Sequence, residues 1–541
     1  MRATLRQQLP KLTWWLVVLE IGLIVLAAVW ATSHLLDMNP NLIIQGSEYE
    51  YLTSSAFTAS QSWREYGYIP MWQPYFWNGE PLIEWGFSTV LNPFSTIPAI
   101  IFGAINGLKI SILIHVIIGG IGGWVLGRVL GLKTPGRLLL GVLMVGRGSP
   151  VGLLDGGYFQ LAVSQSFIPY ALAAAIGLFR FPDRRYPIIL MGASLTLIWW
   201  VGNIYYIMPT ALVVFVIVMV YAFTIERGEN RRLRLVIDRH LLVRFAAAVG
   251  FSFALSAAVV LPTLLQNHLT KGHEPMLLAD WEVWVRDLYR VTEQYFNGSK
   301  ELYELGLAPD LPHYYYAYTI PAWFAALIFI VIPPIPRLHR ESFENSRRFW
   351  AIALILIVFF TLWAASLNPV VTWLSTTLLP ILGRWRFVGR MLAIGSLLIA
   401  VLAAMRVDGL WRALFIDKTA FELPILRRLK AIPAAVMPLM TALVVVASIG
   451  AVDVLGTTWK SFTKLTVYQW NFADDCLRSI RALYPNREIS IMYAGYVDSY
   501  AHLETRVRLN FVGNGIYPLA QPSTLFPTDL ANERLAQFGM A

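Results

Sequence analysis

The sequence predicts an all-α polytopic membrane protein with about 11 transmembrane helices and a small extracytoplasmic C-terminal appendage. Hydrophobic residues make up 57% of the 541 residues, charged residues make up 14%, and the mean hydropathy is +0.56. Long apolar runs recur along the chain, and they are continuous rather than alternating, which favours helices over a β-barrel. Basic residues concentrate between these runs, as in cytoplasmic loops. The formal charge of +10 is therefore interpreted as loop charge, with no nucleic-acid partner.

The first apolar run sets the orientation. The N-terminal segment MRATLRQQLPKL is basic and is expected to stay in the cytoplasm. A first helix over Leu12–Leu36 then brings Asp37 to the outer side of an inner or plasma membrane. Residues 37–107 are expected to form a large outer loop, which ends in a short apolar piece, Pro93–Phe102.

Ten further spans follow from counting about 20 residues per helix. The second, Lys109–Gly131, carries Gly119, Gly123 and Gly127 at the spacing that lets helices approach closely. A short third span is expected to reach the outer turn Asp155–Gly157, and a fourth follows at Phe159–Phe179, with a fifth and a sixth beside a polar elbow at 202–206. A basic inner segment at 227–244 then precedes a seventh span that ends at Leu261–Pro262 and a second outer loop at 266–313. An eighth span, a ninth from Phe349 and a tenth to Ala404 come next, followed by a basic inner segment at 406–430 and a last span at Ile432–Val454.

Two domains result. Residues 1–455 form the transmembrane domain with both outer loops, and residues 456–541 form an extracytoplasmic domain with the C-terminus outside. The tail is polar and contains short alternating runs, which predicts a small α/β unit and a candidate surface for a protein partner. The single Cys476 excludes an internal disulfide and a cysteine metal site.

An aromatic, proline-rich stretch from Tyr68 to Pro98 lies in the first outer loop. Proline breaks helices, and large aromatic side chains favour the boundary between water and lipid. Trp72, Tyr75 and Trp77 are therefore predicted to lie on a rigid loop at the membrane surface.

Carboxylates before this stretch are candidates for acid–base chemistry. Glu48 and Glu50 stand just after the first helix with Tyr49 and Tyr51 interleaved, a mixture that suits sugar binding at an outer surface. A general base for a hydroxyl needs such a carboxylate close to the acceptor. Loop carboxylates that are merely solvated remain the alternative for each.

Arginines at 384–390 are the one basic cluster that the span count places outside. Arg384, Arg386 and Arg390 suit a phosphate, because guanidinium is planar and always charged. The predicted ligand is a lipid-linked phosphate or pyrophosphate, and interfacial snorkelling toward lipid headgroups is the alternative.

Other polar residues in the expected spans are weaker candidates. Asn203 with Tyr205 and Tyr206 lines a cavity or marks a turn. A polar patch and His115 are interpreted as packed, hydrogen-bonded groups; the patch consists of Asp155, Tyr158, Gln160 and Gln165. No residue spacing matches a metal motif, so no metal site is predicted, although a divalent cation is compatible with the sequence.

Several of these segments resemble a known family in the same order. GYIPMWQPYFWNGEPL is similar to the proline–tryptophan signature of YfhO-like bacterial membrane proteins, which belong to the GT-C superfamily of polytopic glycosyltransferases. VGNIYY, AVVLPTLLQN and LPILGRWRFVGRMLAI resemble the family's elbow, its exit into the second outer loop and its arginine stretch. The likeness covers roughly Leu12 to Trp411 and leaves the tail unmatched.

The resemblance implies an inverting glycosyltransferase with a polyprenyl-phosphate sugar donor and an extracytoplasmic acceptor hydroxyl. The family's acidic residue falls on Glu48, where relatives usually carry Asp; it is the expected base. Gln73 and Val388 replace an asparagine and a proline of the family pattern. A transporter or flippase for lipid-linked sugars, or a non-catalytic scaffold in an envelope assembly, are the competing interpretations.

The same resemblance assigns roles to the other candidates. Three arginines, Arg384, Arg386 and Arg390, are expected to stabilise the departing lipid phosphate. Trp72, Tyr75 and Trp77 are expected to pack against the sugar or the lipid, and membrane lipids surround the domain.

Overall fold

The structure, a computed structural model, covers most of the helical domain and short parts of the tail. It describes residues 13–44, 49–70, 72–73, 80–82, 89–201, 204–227, 233–266, 346–364, 388–412, 459–460, 463–467, 472–485, 490–493 and 508–511.

Helices dominate the described chain. Their bounds are α1 Trp14–Thr32, α2 Tyr49–Tyr66, α3 Pro93–Phe102, α4 Ala104–Leu130, α5 Thr134–Val145, α6 Gly148–Asp155, α7 Phe159–Ser164, α8 Ile168–Arg180, α9 Tyr186–Trp200, α10 Ile204–Ala222, α11 Arg239–Gln266, α12 Ser346–Ala364, α13 Leu392–Trp411 and α14 Phe472–Leu483. Short 3-10 turns at Ser33–Leu36, Gln165–Phe167 and Val388–Met391 extend α1, join α7 to α8 and precede α13.

The strands among the described residues form four two-stranded pairings. Their bounds are β1 Leu42–Ile44, β2 Trp72–Gln73, β3 Glu80–Pro81, β4 Phe223–Arg227, β5 Leu233–Ile237, β6 Leu465–Val467, β7 Ser490–Tyr493 and β8 Arg508–Phe511. The pairs β1–β6, β2–β3 and β4–β5 are antiparallel, and β7–β8 is parallel.

Six helical segments among the described residues are long and apolar enough to cross a membrane. They are Trp14–Leu36, Ala104–Leu130, Phe159–Arg180, Tyr205–Ala222, Arg239–Leu261 and Leu392–Gly409. Shorter apolar helices accompany them, among them α3, α5 and α9. The fold is therefore a mostly helical, multi-pass membrane architecture, as expected. The total of about 11 spans stays a prediction, because the expected eighth and last spans lie outside the described residues.

Helix α4 is central to the bundle and packs against α1, α3, α5 and α8. A Cβ on Gly123 would lie 2.6 Å from Met144 Cγ and 2.8 Å from the carbonyl oxygen of Leu140. A Cβ on Gly120 would lie 2.6 Å from Ile24 Cγ2. Glycine is thus required for the close approach of α1 and α5 to α4, the packing that the small-residue spacing predicts.

The bundle has two ends, which we name by their chain turns. At the Gly131 end, α4 stops and α5 begins. Gly131 takes a left-handed φ of 81°, and the amide of Leu132 donates to Gly127, which closes the last turn of α4. At the first-loop end, α1 stops and α4 begins.

Buried arginines at the Gly131 end are fully engaged. Arg137 pairs with Glu20 at 2.6 Å, and that carboxylate also accepts from the indole N–H of Trp124 at 2.6 Å. Arg412 donates to Asp408 at 2.7 Å and to the carbonyl of Gly131 at 2.6 Å. These contacts tie α1, α5 and α13 to the turn after α4.

The first-loop end is held by a buried lysine. The Lys109 ammonium donates to the carbonyls of Asp37 and Asn39, each at 2.9 Å, and to Asn106 Oδ1 at 3.1 Å. Asn106 in turn donates to the carbonyl of Met38 at 2.6 Å. The chain leaving α1 is therefore fixed onto the first turns of α4.

The tail returns to this same end. Strand β6 pairs with β1, and His34 Nε2 lies 2.6 Å from the Thr463 hydroxyl. Trp459 is buried, and its indole N–H donates to the Val145 carbonyl at 3.2 Å. Residues 459–467 thus lie beside residues 34–44 of the first loop.

Several element bounds differ from the sequence prediction. The third span is two helices, because α5 stops at Val145 and α6 starts at Gly148. The tenth span runs on to Trp411, so Arg406 lies inside α13 against the Trp350 ring and not in an inner loop. Tyr205 and Tyr206 belong to α10 and not to a loop elbow.

Candidate functional site: an arginine–tyrosine cluster

The break between α5 and α6 brings a cation into the bundle. Gly146 and Arg147 are the two residues between these helices. Neither helix is long enough to cross a membrane alone. At the non-helical break between them, the Arg147 side chain is buried in the bundle, with 2% of its surface exposed. Non-helical backbone at membrane depth is tolerated only where it is buried in protein or lines a cavity.

Arg147 is held mainly by neutral acceptors. Its Nη2 donates to Gln165 Oε1 at 2.7 Å and to the carbonyl of Ala393 at 2.9 Å. Gln165 Nε2 donates to the Ser149 hydroxyl at 3.0 Å. Within the described part of the chain, Arg147 Nε has no hydrogen-bond partner. One donor of this guanidinium is therefore left over.

Tyr206 completes the inner part of the cluster. The side chain is fully buried, and its hydroxyl faces Ser149 and Gln165 close to the charges of Arg147 and Arg390. The hydroxyl nevertheless reaches no hydrogen-bond geometry with any described residue, and the same holds for Thr210 Oγ1 one turn further along α10. Buried groups of this kind are rare, and each one requires an explanation.

Arg390 lies at the start of α13, one turn before Ala393. Its Cζ lies 4.9 Å from the ring centroid of Tyr158 and 4.5 Å from that of Tyr205, and the side chain is 3% exposed. Two ring faces thus replace the water that a guanidinium would otherwise keep. Together, Arg147, Arg390, Tyr158, Tyr205 and Tyr206 form what we call the arginine–tyrosine cluster.

A narrow pocket opens beside this cluster. Arg147 and Gln165 form its polar wall, and most of the remaining wall is apolar, including Ile112, Val116, Met144, Val163 and Trp459. The pocket lies between α4, the α5–α6 break and the α7–α8 junction. A polar group that enters it meets the Arg147 guanidinium.

His115 borders the same pocket but is engaged in packing. Its Nε2 accepts from Asn92 Nδ2 at 2.8 Å, and its Nδ1 donates to the Ser111 carbonyl at 2.7 Å. Asn92 also caps α3 through the amide of Phe94 at 3.1 Å. His115 therefore joins α3 to α4 through Asn92, in agreement with its interpretation from sequence as a packed, hydrogen-bonded group.

The structure brings together only part of the predicted site. Arg390 is central, and Tyr158, Gln165, Tyr205 and Tyr206, which the sequence offered as packing or turn residues, surround it or Arg147. Arg147 itself was missed, because the arginine in GVLMVGRGSPVGLL was not distinguished from a loop cation. The signal was present in the length of that segment, which is too polar at its centre for one span.

Most of the other predicted site residues cannot be placed relative to the cluster. Glu48, Tyr75, Trp77, Asn203, Arg384 and Arg386 lie outside the described residues. The backbones of Glu50 and Trp72 lie in the first turn of α2 and in β2. Glu48 directly precedes Tyr49, which is buried against the bundle, so the chain after Glu48 is packed onto the membrane domain.

A metal centre is not formed by the described residues. No group of three or more His, Cys, Asp or Glu side chains there is arranged to hold an ion. The prediction from sequence, no metal site but compatibility with a divalent cation, stays a prediction.

Fold and cluster together define a multi-pass helical membrane protein with a buried arginine–tyrosine cluster in its bundle. No family model matches the sequence. No curated protein matches it either.

Solved structures do match the fold. The arabinofuranosyltransferase AftD from Mycobacteria is 11% identical with a TM-score of 0.51, over 94% of this chain and 32% of the longer protein. The chain therefore spans about a third of that protein's length. The oligosaccharyltransferase of Archaeoglobus fulgidus tethered to an acceptor peptide is 13% identical with a TM-score of 0.44, over 93% of this chain and 64% of the other. Its complex with an inhibitory peptide and a dolichol-phosphate has a TM-score of 0.43.

At these identities, the likeness to AftD concerns the fold. That fold is a multi-pass helical membrane architecture, whereas membership of the GT-C superfamily and of the YfhO-like family stays a prediction.

Proposed function

We propose that the protein is an integral-membrane glycosyltransferase that takes a sugar from a polyprenyl-phosphate donor. The acceptor is an extracytoplasmic hydroxyl, and attack on the anomeric carbon inverts its configuration. The observation that carries the proposal is Arg390, a buried cation clamped between Tyr158 and Tyr205. A fold shared with an arabinofuranosyltransferase supports it.

Glu48 is the proposed base. Its carboxylate takes the proton of the acceptor hydroxyl while the new glycosidic bond forms and the bond to the lipid phosphate oxygen breaks. The expelled lipid phosphate keeps that electron pair, and its charge is stabilised by Arg390 together with Arg384 and Arg386. Glu50, in the first turn of α2, is the second candidate for the base.

Aromatic residues are proposed to hold the sugar. Trp72, Tyr75 and Trp77 follow α2 on the first loop, and Asn203 precedes α10 and the two tyrosines of the cluster. Apolar ring faces suit the apolar face of a sugar or the first isoprene units of the lipid.

The test is donor consumption by the purified full chain in detergent. Polyprenyl-phosphate hexoses, N-acetylhexosamines and pentoses are offered with a panel of hydroxyl acceptors, and the lipid products are measured by mass spectrometry. We expect Glu48→Gln to lower the rate by about 100-fold or more, since general-base catalysis contributes about that much. Glu65→Gln, at an exposed position near the end of α2, is the matched control.

Three results would refute the proposal. A full rate in Glu48→Gln and Glu50→Gln would remove the base. Movement of the lipid across vesicle membranes without consumption, equal in the wild type and Glu48→Gln, would indicate a flippase. Inactivity on every donor, together with a stable partner held by the tail, would indicate a scaffold.

A further inference from the structure

Arg147 differs from Arg137 and Arg412 in its charge balance. Arg137 and Arg412 each contact a carboxylate, at 2.6 and 2.7 Å. Arg147 contacts none among the described residues, where it donates to an amide oxygen and a backbone carbonyl. A buried charge without a counter-charge is costly, particularly at membrane depth.

The sequence that leads to Arg390 adds positive charge and contains no carboxylate. Residues 365–387, which lead directly to the turn that carries Arg390, contain no Asp or Glu but contain Arg384 and Arg386. Helix α6 begins at Gly148, so the positive end of its dipole also lies beside Arg147. Neither of these two features supplies a counter-charge for Arg147.

The hydrogen-bonding capacity left in the cluster is mostly that of donors. Arg147 Nε–H has no partner in the described chain, and neither has the Tyr206 hydroxyl. The Ser149 oxygen accepts from Gln165, which leaves its hydroxyl hydrogen to donate. The Gln165 oxygen is already used by Arg147. Unused donors around a buried cation fit an anion, whereas a water molecule would satisfy them without balancing the charge.

We propose that Arg147, Tyr206 and Ser149 form a buried binding site for a phosphate-type oxyanion, either free or as the head group of a lipid phosphate. The pocket that Arg147 and Gln165 line reaches the guanidinium from one side, and Arg390 lies close to the Tyr206 hydroxyl. This site deepens the function proposed above and rests on it for the lipid source. Its test does not, because inorganic phosphate binds without any transfer reaction.

The experiment is a titration of the purified, lipid-depleted full chain with inorganic phosphate, followed by calorimetry and by the shift in melting temperature. We expect saturable binding and a rise in melting temperature with phosphate concentration. Arg147→Gln should weaken the affinity by about tenfold or more, the size expected for a hydrogen bond to a charged group. Arg406→Gln is the matched control, because it removes another buried guanidinium, one that lies 4.4 Å from the Trp350 ring.

Tyr206→Phe keeps the test decisive where Arg147→Gln fails to fold. It removes one oxygen and leaves the ring in place. If the Tyr206 hydroxyl is an unsatisfied buried group that does not contact the ligand, its removal stabilises the protein slightly and leaves phosphate affinity unchanged. That result overturns the proposal. If it binds the oxyanion, phosphate affinity falls by several fold.

Further outcomes separate this site from the proposed reaction. Absence of saturable phosphate binding in the wild type, with sugar transfer intact, overturns the site and leaves the function standing. Phosphate binding that Arg147→Gln abolishes, in a protein without transfer activity, supports the site and counts against the function. Mass spectrometry of lipid phosphates that copurify with the wild type, and are lost in Arg147→Gln, identifies the lipid as the source.

Discussion

Buried arginines occur in two regions of this bundle, and they are treated differently in each. At the Gly131 end, Arg137 finds Glu20, and Arg180 and Arg244 donate to the carbonyls of Val129 and Leu178. In the arginine–tyrosine cluster, Arg147 and Arg390 contact tyrosine rings, an amide oxygen and a carbonyl.

The difference indicates different purposes. Cations at helix C-termini complement the helix dipole and satisfy orphan carbonyls, so the Gly131 end is a structural seam. Cations beside ring faces, with a donor left over, are costly for stability and suited to a ligand. The first region is therefore expected to depend on its arginines for folding, and the second for binding.

The largest expected effect on stability comes from replacing one arginine by methionine in each of the two regions. Arg137→Met leaves Glu20 as a buried charge that still accepts a hydrogen bond from Trp124. We expect a loss of about 3–5 kcal/mol in unfolding free energy, because breaking a buried ion pair strands the remaining charge. Arg147→Met should cost no more than about 1 kcal/mol, since it removes a charge that lacks a carboxylate.

The readout is unfolding in detergent by heat and by denaturant, without added phosphate. The double variant Glu20→Leu with Arg137→Met should regain much of the lost stability, since no charge is then stranded. A cost of Arg147→Met as large as that of Arg137→Met would contradict the division into a seam and a binding region.

Sequence alone predicted helices in both regions but the side-chain partners in neither. Hydropathy placed the spans of α1, α4 and α8, and glycine spacing predicted the packing of α4, because both depend on local composition. Partner choice is not local. Glu20 and Arg137 lie 117 positions apart, and Arg147 and Ala393 lie 246 apart.

The candidate site shows the same limit. Arg390 was predicted from a cluster of arginines within seven residues, a signal that sequence displays directly. Arg147 was not, because its inward position depends on a helix break and on acceptors from α7–α8 and α13. The role of Glu48 came from a family resemblance and stays a prediction.

A smaller effect is expected where the first loop joins the bundle. Lys109→Met removes the ammonium that the carbonyls of Asp37 and Asn39 share. These carbonyls lie near exposed residues and can recover water, so we expect a loss of about 1–2 kcal/mol. Thermal unfolding of Lys109→Met measures it, and Lys460→Met, at an exposed lysine, is the control. Equal stability of both variants would show that the junction is held by other contacts.

The smallest effect is expected where the tail meets the α5–α6 break. Trp459→Phe keeps a buried ring but removes the N–H that donates to the Val145 carbonyl at 3.2 Å, one of the last carbonyls of α5. We expect a loss of about 1 kcal/mol and faster proteolysis between the tail and the bundle. Because Trp459 also lines the pocket beside Arg147, the same variant should alter phosphate affinity less than Tyr206→Phe does. A larger loss of phosphate affinity in Trp459→Phe would mean that the tail, and not α10, forms the wall that the ligand meets.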